Sequence, residues 1–490
     1  MTRAAGKRLV LLMCVFSLLC FTFFIPGSTI AAEKAVPGSM DEKFPKPNAF
    51  FDIDKMSDMS DYDPSTSIVP TGDTIKLAVV VSFSGPAAVQ GQWYYALIQW
   101  VAHDINKRGG ITVDGKKKLI QVIKADHMGK PDTCKKVCER MALKEKVHAF
   151  LGSDGSHHMK IINETANKYK IISVNIGSMV DELQNAENFS RYAFHPYYSA
   201  DQSARALAYY YGQIQKKATK FYIVNQDYSF GRSLAESFKK GLQEYHPTAQ
   251  IVGEDYHKLF LTDFAPYLEK VKISGADVIF SGDFLPDGAN LAKQAHEMGI
   301  KIPFANIFMN ELNMLRDIGV EGTKGFAHVD SFDMPDPFKG DSPYAKFYKA
   351  WYRASEKWVA PYDTDSLRSV GAVGNGVSLI MQTYWLLSIM ERAQSTDPEK
   401  IIKIWENDTY RYVNGKIVKM RACDHKGIMD LGVSVYVPPQ EQKISMTISP
   451  YYWFEGCSFI GPTYKVPAGK ILPKMDQKLD RCTGKNGWGE

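Results

Sequence analysis

The stretch "GSDGSHH", residues 152–158, combines glycines, hydroxyls, a carboxylate and two histidines between a short apolar run and a helix-like segment. Four kinds of chemistry are open to these residue types. The glycines and hydroxyls could cradle a phosphate, Ser156 and His157 could be a nucleophile and its base, and His157 with His158 could hold a metal. The turn could also seat a small anion on the N-terminus of the following helix.

The spacing of this motif weakens three of these interpretations. Neither G-x-G-x-x-G after a strand nor G-x-x-x-x-G-K-[ST] occurs in the sequence, which removes the best evidence for a nucleotide ligand. A serine hydrolase of α/β architecture carries G-x-S-x-G, and the glycines near Ser156 do not fit that spacing. Neighbouring helical side chains diverge by about 100°, so His157 is poorly placed as a base for Ser156 or as a co-ligand of His158. An anion site at Ser156 is favoured, and the alternative is that Ser156 only caps its own helix.

Aromatic and acidic residues follow several other strand-like runs. Trp93 begins a helix-like segment after the first such run, where its ring could stack on a ligand or simply pack in the core. Polar and aromatic groups at the strand exits of two sheets predict a ligand cleft between two lobes. The exits "NQDYSFG" and "SGDFLPDG" contribute Asp227, Tyr228, Phe230, Asp283 and Phe284.

Buried-type strands alternate with helix-like segments along most of the chain. One series runs from "TIKLAVVVSFSG" to "KIISVNI", and a second runs from "KFYIVNQD" to "IKIPFANI". Such alternation predicts parallel sheets of βαβ units, and two series indicate two doubly wound, Rossmann-like α/β sheets and not a single wide one. Hairpins are predicted at Asp114-Gly115 and Asn414-Gly415, and helices at 342–358, 366–392 and 398–407.

The length and charge of the chain restrict its class. Its 490 residues are too many for one average core and predict two or three domains. A net charge of +5 without a basic run argues against a nucleic-acid partner. Basic residues precede the apolar run Leu9 to Ile25, and small residues follow it, which predicts a signal peptide over 1–32 and an exported, extracytoplasmic protein. An uncleaved membrane anchor is the alternative.

Both ends of the exported chain are unlike a folded core. Residues 33–73 are polar and aperiodic and predict a flexible leader, while residues 446–490 predict a C-terminal tail that wraps the fold. Export permits disulfides, and Cys457 with Cys482 is the pair predicted to close one in the tail. Cys134 and Cys138 lie one helical turn apart, a spacing that favours two reduced thiols.

An ordered set of segments carries a resemblance to a known family. The set resembles the Leu/Ile/Val-binding family of periplasmic substrate-binding proteins, which serve ABC importers. No single segment is specific to the family, but the six segments in this order are. They are "IKLAVVVSFSGPAAVQGQ", "WVAHDINKRGGI", "VHAFLGSDGS", "IVNQDYSFGRSLAESFKKGL", "GADVIFSGDFLPDGANLAKQAHEMG" and "MRACDHKGIMDLGVSVYV", and they span Thr74 to Val437.

The resemblance implies the type I periplasmic-binding-protein fold. Two α/β lobes are joined by three crossovers, and the ligand lies in a cleft that closes by a hinge motion. Lobe 1 is expected at 74–193 plus 328–427, and lobe 2 at 194–327 plus 428–445. The family is not enzymatic, and no cofactor or metal is expected. The implied partners are a small-molecule ligand and the membrane permease of an ABC importer, and the implied location is the periplasm.

The resemblance also implies roles for individual residues. A hydroxyl in the turn after the third strand holds the ligand carboxylate, which assigns that role to Ser156. The next small-residue turn, "NIGSM", adds Gly177 and Ser178. Phe230 and Phe284 become walls of the pocket, together with Trp93 and Tyr228.

One departure from the family concerns the ligand ammonium, which amino-acid binders hold with a second-lobe carboxylate. The matching exit reads "ANIFMNEL" and offers Phe308 and then Glu311, so Asp227 or Asp283 is the possible substitute. An unpaired buried ammonium is costly. The expected ligand is therefore a branched-chain amino acid held differently, or a similar small, partly apolar carboxylate or amide. The rival functions are a sensor ectodomain tethered by its N-terminal segment and a hydrolase that uses Ser156.

Overall fold

Two mostly parallel β-sheets form the centre of the fold, and both grow from apolar, β-branched runs. In the strand Ile75–Val81, six of seven side chains are buried, as expected for a strand that helices cover on both faces. The structure is a computed structural model that describes residues 36–85, 87–284, 286–308, 312–330, 341–364, 367, 375–437 and 459–490. The strands are β1 Ala49–Phe50, β2 Ile75–Val81, β3 Ile111–Val113, β4 Lys116–Lys118, β5 Ile120–Asp126, β6 Ala149–Gly152, β7 Ile172–Asn175, β8 Ala193–Phe194, β9 Lys220–Gln226, β10 Gln250–His257, β11 Val278–Ser281, β12 Phe304–Asn306, β13 Ala327–Asp330, β14 Thr409–Arg411, β15 Ile417–Met420, β16 Gly427–Met429, β17 Leu431–Val437 and β18 Phe459–Val466.

Helices flank both sheets, and two of them continue into a wider π-helical turn, at Met141–Glu145 and Tyr210–Gln215. Within the described residues, no helix has the length and apolar character needed to cross a membrane. The α-helices are α1 Met40–Lys43, α2 Ala88–Lys107, α3 Pro131–Arg140, α4 Ser156–Tyr169, α5 Ala200–Tyr209, α6 Ser229–Tyr245, α7 Ala265–Ile273, α8 Asp287–Glu297, α9 Leu312–Thr323, α10 Pro343–Ser355, α11 Asn375–Ala393 and α12 Pro398–Trp405.

The first sheet has five parallel strands in the order β5-β2-β6-β7-β8. Gly152 at the end of β6 pairs with Val80 on one side and Asn175 on the other, so these three strands end side by side. The strand order reverses between β2 and β6. Open α/β sheets bind ligands outside the carboxyl ends of their strands at such a switch point, which places the turn at 152–156 in the expected position.

The second sheet repeats this order with different residues. Its strands lie in the order β10-β9-β11-β12-β13-β17-β18. The first five are parallel, β17 is antiparallel to β13, and β18 is antiparallel to β17. The reversal falls between β9 and β11. The chain passes between the sheets three times, because α11 packs on α2 of the first sheet before β17 returns to the second. The predicted pair of doubly wound sheets is confirmed.

Most predicted elements are present, with shifted ends. The hairpin at Asp114-Gly115 is formed by β3 and β4, and the hairpin at Asn414-Gly415 by β14 and β15. Helix α2 begins at Ala88, so Trp93 lies in its second turn and not at its start. Of the helix predicted at 366–392, residues 366 and 368–374 lie outside the described residues.

The prediction of a flexible leader is wrong for residues 36–73. Met40, Met59 and Tyr62 are buried, and β1 pairs with β14. The Tyr62 hydroxyl donates to the Ala96 carbonyl at 2.5 Å, and the Trp358 indole donates to the Tyr62 carbonyl at 2.9 Å. The polar composition of the segment misled the prediction, because a few apolar side chains suffice to anchor it to α2.

The disulfide prediction also needs correction. Cys482 is bonded to Cys423, which joins the C-terminal segment to the loop before β16. Cys457, the predicted partner, lies outside the described residues. Cys134 and Cys138 are buried free thiols, as predicted. The end of the chain does wrap the fold, since β18 extends the second sheet beside β17.

Candidate ligand-binding site

The carboxyl ends of β2, β5, β6 and β7 lie side by side, and we call them the first edge. The turn between β6 and α4 presents the N-terminus of α4 at this edge. Gly155 precedes the helix with an extended backbone, and no side chain caps it. Ser156 is half-buried, and its hydroxyl makes no hydrogen bond to any part of the chain that the structure describes. The interpretation of Ser156 as a simple cap is therefore wrong. The open N–H groups of this terminus carry partial positive charge and favour an anion.

The second small-residue turn is tied to the first. Asn175 at the end of β7 accepts the Ser178 N–H at 2.8 Å and donates to the Ser178 carbonyl at 2.7 Å. The Ser178 hydroxyl donates to the Ser153 carbonyl at 3.4 Å. Gly177 and Ser178 are thus held against the turn that carries Ser156.

Two aromatic residues of α2 close over this edge. A Cβ atom on Gly177 would lie 2.3 Å from the Tyr94 hydroxyl and 2.8 Å from the Ser153 carbonyl, so only glycine fits there without movement. Burial, reinforced by the charge of Asp154, raises the pKa of Tyr94 far above its ordinary value, and the phenol stays neutral. Trp93 packs on Tyr94 with ring centroids 5.1 Å apart, and its buried indole N–H has no partner among the described residues. An unpaired buried donor of this kind is a candidate ligand contact.

The two histidines do not behave as a surface pair. His157 is exposed, but His158 is buried, and the two ring centroids are only 3.8 Å apart. Sequence reasoning also missed His127, which follows β5 and donates from Nε2 to Asp154 Oδ1 at 2.9 Å. Its signal was available, because "KADHMG" places polar residues after a strand in the same manner as the other exits. The Asp154 carboxylate also accepts the Ser82 N–H, at 3.0 Å.

The carboxyl ends of β9, β11 and β12 are the corresponding region of the second sheet, and we call them the second edge. Aromatic residues follow all three strands. The Tyr228 ring centroid lies 5.8 Å from that of Phe230 and 6.3 Å from that of Phe284. Phe230 contacts Phe308 with centroids 6.1 Å apart. Burial, together with the charges of two nearby carboxylates, raises the pKa of Tyr228, which also stays neutral. The three predicted aromatic residues therefore form one cluster, and Phe308 extends it.

Asp283 lies behind this aromatic cluster and is fully engaged. Its carboxylate accepts the Gln226 N–H at 2.8 Å and the His257 Nε2–H at 2.7 Å, and it is buried. Although burial opposes the shift, the hydrogen bond and charge of Asp283 raise the pKa of His257. Asp227 is paired with the exposed Arg232 at 2.7 Å. Both carboxylates are thus paired within the protein, and Glu311 lies outside the described residues.

The chemistry of the site follows from these contacts. The first edge offers backbone N–H groups, a free hydroxyl and an unpaired indole N–H, all of which are hydrogen-bond donors to an anion. The second edge offers an apolar wall. Ser156 makes no hydrogen bond to a histidine in the described structure, so it lacks the base that activates a serine nucleophile.

Comparisons with known proteins identify the family of the chain. A family model described as periplasmic binding protein matches residues 74–437. The Leu/Ile/Val-binding protein homolog 4 of Brucella abortus (strain 2308) is 25% identical over 315 residues, which are 61% of this chain and 72% of that protein.

Solved structures share the fold at low identity. The leucine-, isoleucine-, valine-, threonine- and alanine-binding protein from Brucella ovis, in its closed conformation, has a TM-score of 0.67 at 19% identity and covers 83% of this chain and 98% of its own. A second structure is a solute binding protein of an ABC transporter from Rhodopseudomonas palustris HaA2, in complex with p-hydroxybenzoic acid. It has a TM-score of 0.65 at 20% identity and covers 81% of this chain and 98% of its own. The chain belongs to the periplasmic binding protein family and has its two-lobed type I fold.

Proposed function

We propose that this protein is the exported receptor of an ABC importer and binds a small carboxylate with an apolar body between the two edges. The observation that carries the proposal is the uncapped N-terminus of α4, with the Ser156 hydroxyl free beside it. A carboxylate there would accept backbone N–H bonds and a hydroxyl bond at once. Gly177 and Ser178 shape the floor, and Trp93 contributes its unpaired N–H.

The second edge supports an aromatic or branched aliphatic body for the ligand. Tyr228, Phe230 and Phe284 offer a contiguous apolar wall, while Asp283 is fully used by Gln226 and His257. We therefore assign Asp283 to supporting that wall and not to holding an ammonium. An aromatic carboxylate fits this chemistry best, in line with the p-hydroxybenzoic acid bound by the Rhodopseudomonas palustris protein.

A branched-chain amino acid is the second candidate. It is favoured by the names of the relatives, which include Leu/Ile/Val-binding proteins. It requires an ammonium partner other than Asp227 and Asp283, since both are paired within the protein.

A thermal-shift screen of aromatic carboxylates, their amides and branched-chain amino acids tests the ligand class, because a ligand stabilises the fold that binds it. Calorimetry then compares the wild type with Ser156→Ala for the best ligand. Loss of a charge-assisted hydrogen bond predicts an affinity decrease of about tenfold or more. Ser342→Ala, which removes a cap from the remote helix α10, is the control and should leave the affinity unchanged. If Ser156→Ala binds the ligand with wild-type affinity, the proposed anion site is wrong.

The rival functions have their own tests. Mass spectrometry of the mature protein should find an N-terminus near Glu33 if residues 1–32 are removed on export. A chain that keeps this segment would instead support a tethered sensor. Turnover of ester or amide substrates that disappears in Ser156→Ala would support a hydrolase.

A further inference from the structure

Three potential metal ligands converge at the first edge beside the proposed anion site. His127 follows β5, Asp154 lies in the turn after β6, and His158 lies in the first turn of α4. His127 Nε2 is 2.9 Å from Asp154 Oδ1, and His158 Nδ1 is 3.8 Å from the same oxygen. The three side chains are 0–5% exposed, and one donor atom from each lies within 4.8 Å of the others.

These separations suit a tetrahedral ion. Zn²⁺ binds imidazole nitrogen and carboxylate oxygen at about 2.0–2.2 Å, which separates two ligand atoms by about 3.3–3.6 Å. The observed distances of 2.9 and 3.8 Å bracket that value. The rings of His127 and His158 are 3.9 Å apart at their centroids and would have to open to about 5 Å for both to point at one ion.

The state of His158 favours a ligand role. Both of its ring nitrogens are buried without a hydrogen-bond partner among the described residues. Such a group is unusual in a folded protein and calls for a partner.

We propose that His127 Nε2, Asp154 Oδ1 and His158 Nδ1 bind one divalent transition-metal ion, with Zn²⁺ as the best fit to two imidazoles and a carboxylate. Three protein ligands leave a fourth position for water, and the Ser153 hydroxyl, 3.0 Å from Asp154 Oδ1, is placed to hydrogen-bond that water. The site is independent of the identity of the transported ligand.

Two local effects oppose the ion. The Gly129 N–H donates to His127 Nδ1 at 3.1 Å, so without metal the proton sits on Nε2. When Nε2 binds the metal, the ring proton moves to Nδ1, which then loses the Gly129 N–H bond and must turn to donate to the Ser82 hydroxyl, now 3.4 Å away. The N-terminus of α4 adds a partial positive charge of about half a unit, which the full negative charge of Asp154 outweighs.

Metal binding by the exported chain, treated with EDTA and studied without ligand, tests this site. Calorimetry with Zn²⁺ should give one ion per chain. His158→Gln and Asp154→Asn should each weaken binding by at least 100-fold, while His103→Gln, at a half-buried position of α2 paired with Asp61, should not. His157→Gln tests whether the exposed His157 ring contributes to Zn²⁺ binding.

A second measurement covers the case in which a buried variant fails to fold. Co²⁺ bound to the wild type should give the intense visible absorption of a tetrahedral site, and Zn²⁺ should displace it. The proposal is overturned if wild type shows no such band, or if His158→Gln and Asp154→Asn fold and bind Zn²⁺ with wild-type affinity.

Discussion

The two edges share one strand order but present opposite chemistry. In the first sheet the strands β2, β6 and β7 end in hydroxyls, small residues and a carboxylate with histidines. In the second sheet the corresponding strands β9, β11 and β12 end in Tyr228, Phe284 and Phe308. The same doubly wound framework therefore positions donors on one side and an apolar wall on the other.

The difference extends to how polar groups are satisfied. At the first edge the Ser156 hydroxyl, the Trp93 indole and both nitrogens of His158 lack partners among the described residues. At the second edge both oxygens of Asp283 are hydrogen-bonded within the protein, while Gln226 Oε1 and Asp287 Oδ1 are buried without a partner among the described residues. The comparison between the edges therefore rests on Ser156 and Trp93, which can still bind a ligand, and on Asp283, whose hydrogen bonds hold the fold. Substitutions at the two edges should consequently separate binding from stability.

The largest effect is expected from Asp283→Ala. It leaves His257 buried without its carboxylate and the Gln226 N–H without an acceptor, and breaking a buried pair costs about 3–5 kcal/mol. Urea unfolding followed by tryptophan fluorescence measures the loss. Asp227→Ala, which breaks an exposed pair with Arg232, is the control and should cause no measurable change. Similar losses for the two variants would contradict the structural role of Asp283.

Gly177→Ala tests the packing of the first edge. The new Cβ would lie 2.3 Å from the Tyr94 hydroxyl, and overpacking of this kind costs about 1–3 kcal/mol. Displacement of the turn should also weaken ligand binding. Gly155→Ala is the milder comparison, because its Cβ would meet only the His157 and His158 rings, at 3.2 Å, which need to give by a few tenths of an ångström. Equal unfolding free energies for the two variants would show that Tyr94 moves aside without cost.

The framework was predictable from the sequence because buried parallel strands are nearly continuous apolar runs. Strand β2 and the run that ends at Gly152 carry this signal, and glycine and hydroxyl residues mark their exits. The aromatic cluster at Tyr228, Phe230 and Phe284 was found for the same reason, since each residue lies within four positions of a strand end.

Contacts between distant residues were not predictable in this way. His127 meets Asp154 only because β5 and β6 flank β2, an order that a single sequence does not reveal. The same applies to Tyr62, which bonds to Ala96 and Trp358 from a segment of polar composition. The pairing of Cys423 with Cys482 likewise depends on where the C-terminal segment docks.

The pH dependence of stability sharpens the view of the second edge. The pKa of His257 is raised in the folded state by Asp283, against the effect of burial. A raised pKa stabilises the fold below the unfolded value of about 6.5, and this stability is lost as the pH rises through the folded pKa. The difference in unfolding free energy between wild type and His257→Gln should therefore shrink above pH 6.5, by at most about 1.4 kcal/mol per pH unit. A difference that grows with pH would mean that the pKa of His257 is lowered in the folded protein and not raised.

The smallest effect on stability is expected from Ser156→Ala, and its smallness is informative. Ser199 begins α5 in a capping box, in which its hydroxyl accepts the Gln202 N–H and the Gln202 side chain accepts the Ser199 N–H. Removing such a cap costs about 1 kcal/mol. Ser156 also stands at the start of a helix, but its hydroxyl bonds nothing in the described chain, so Ser156→Ala should change the unfolding free energy by less than about 0.5 kcal/mol. Urea titrations of Ser156→Ala and Ser199→Ala side by side test this directly, since a comparable loss in both would mean that Ser156 serves the helix and not a ligand.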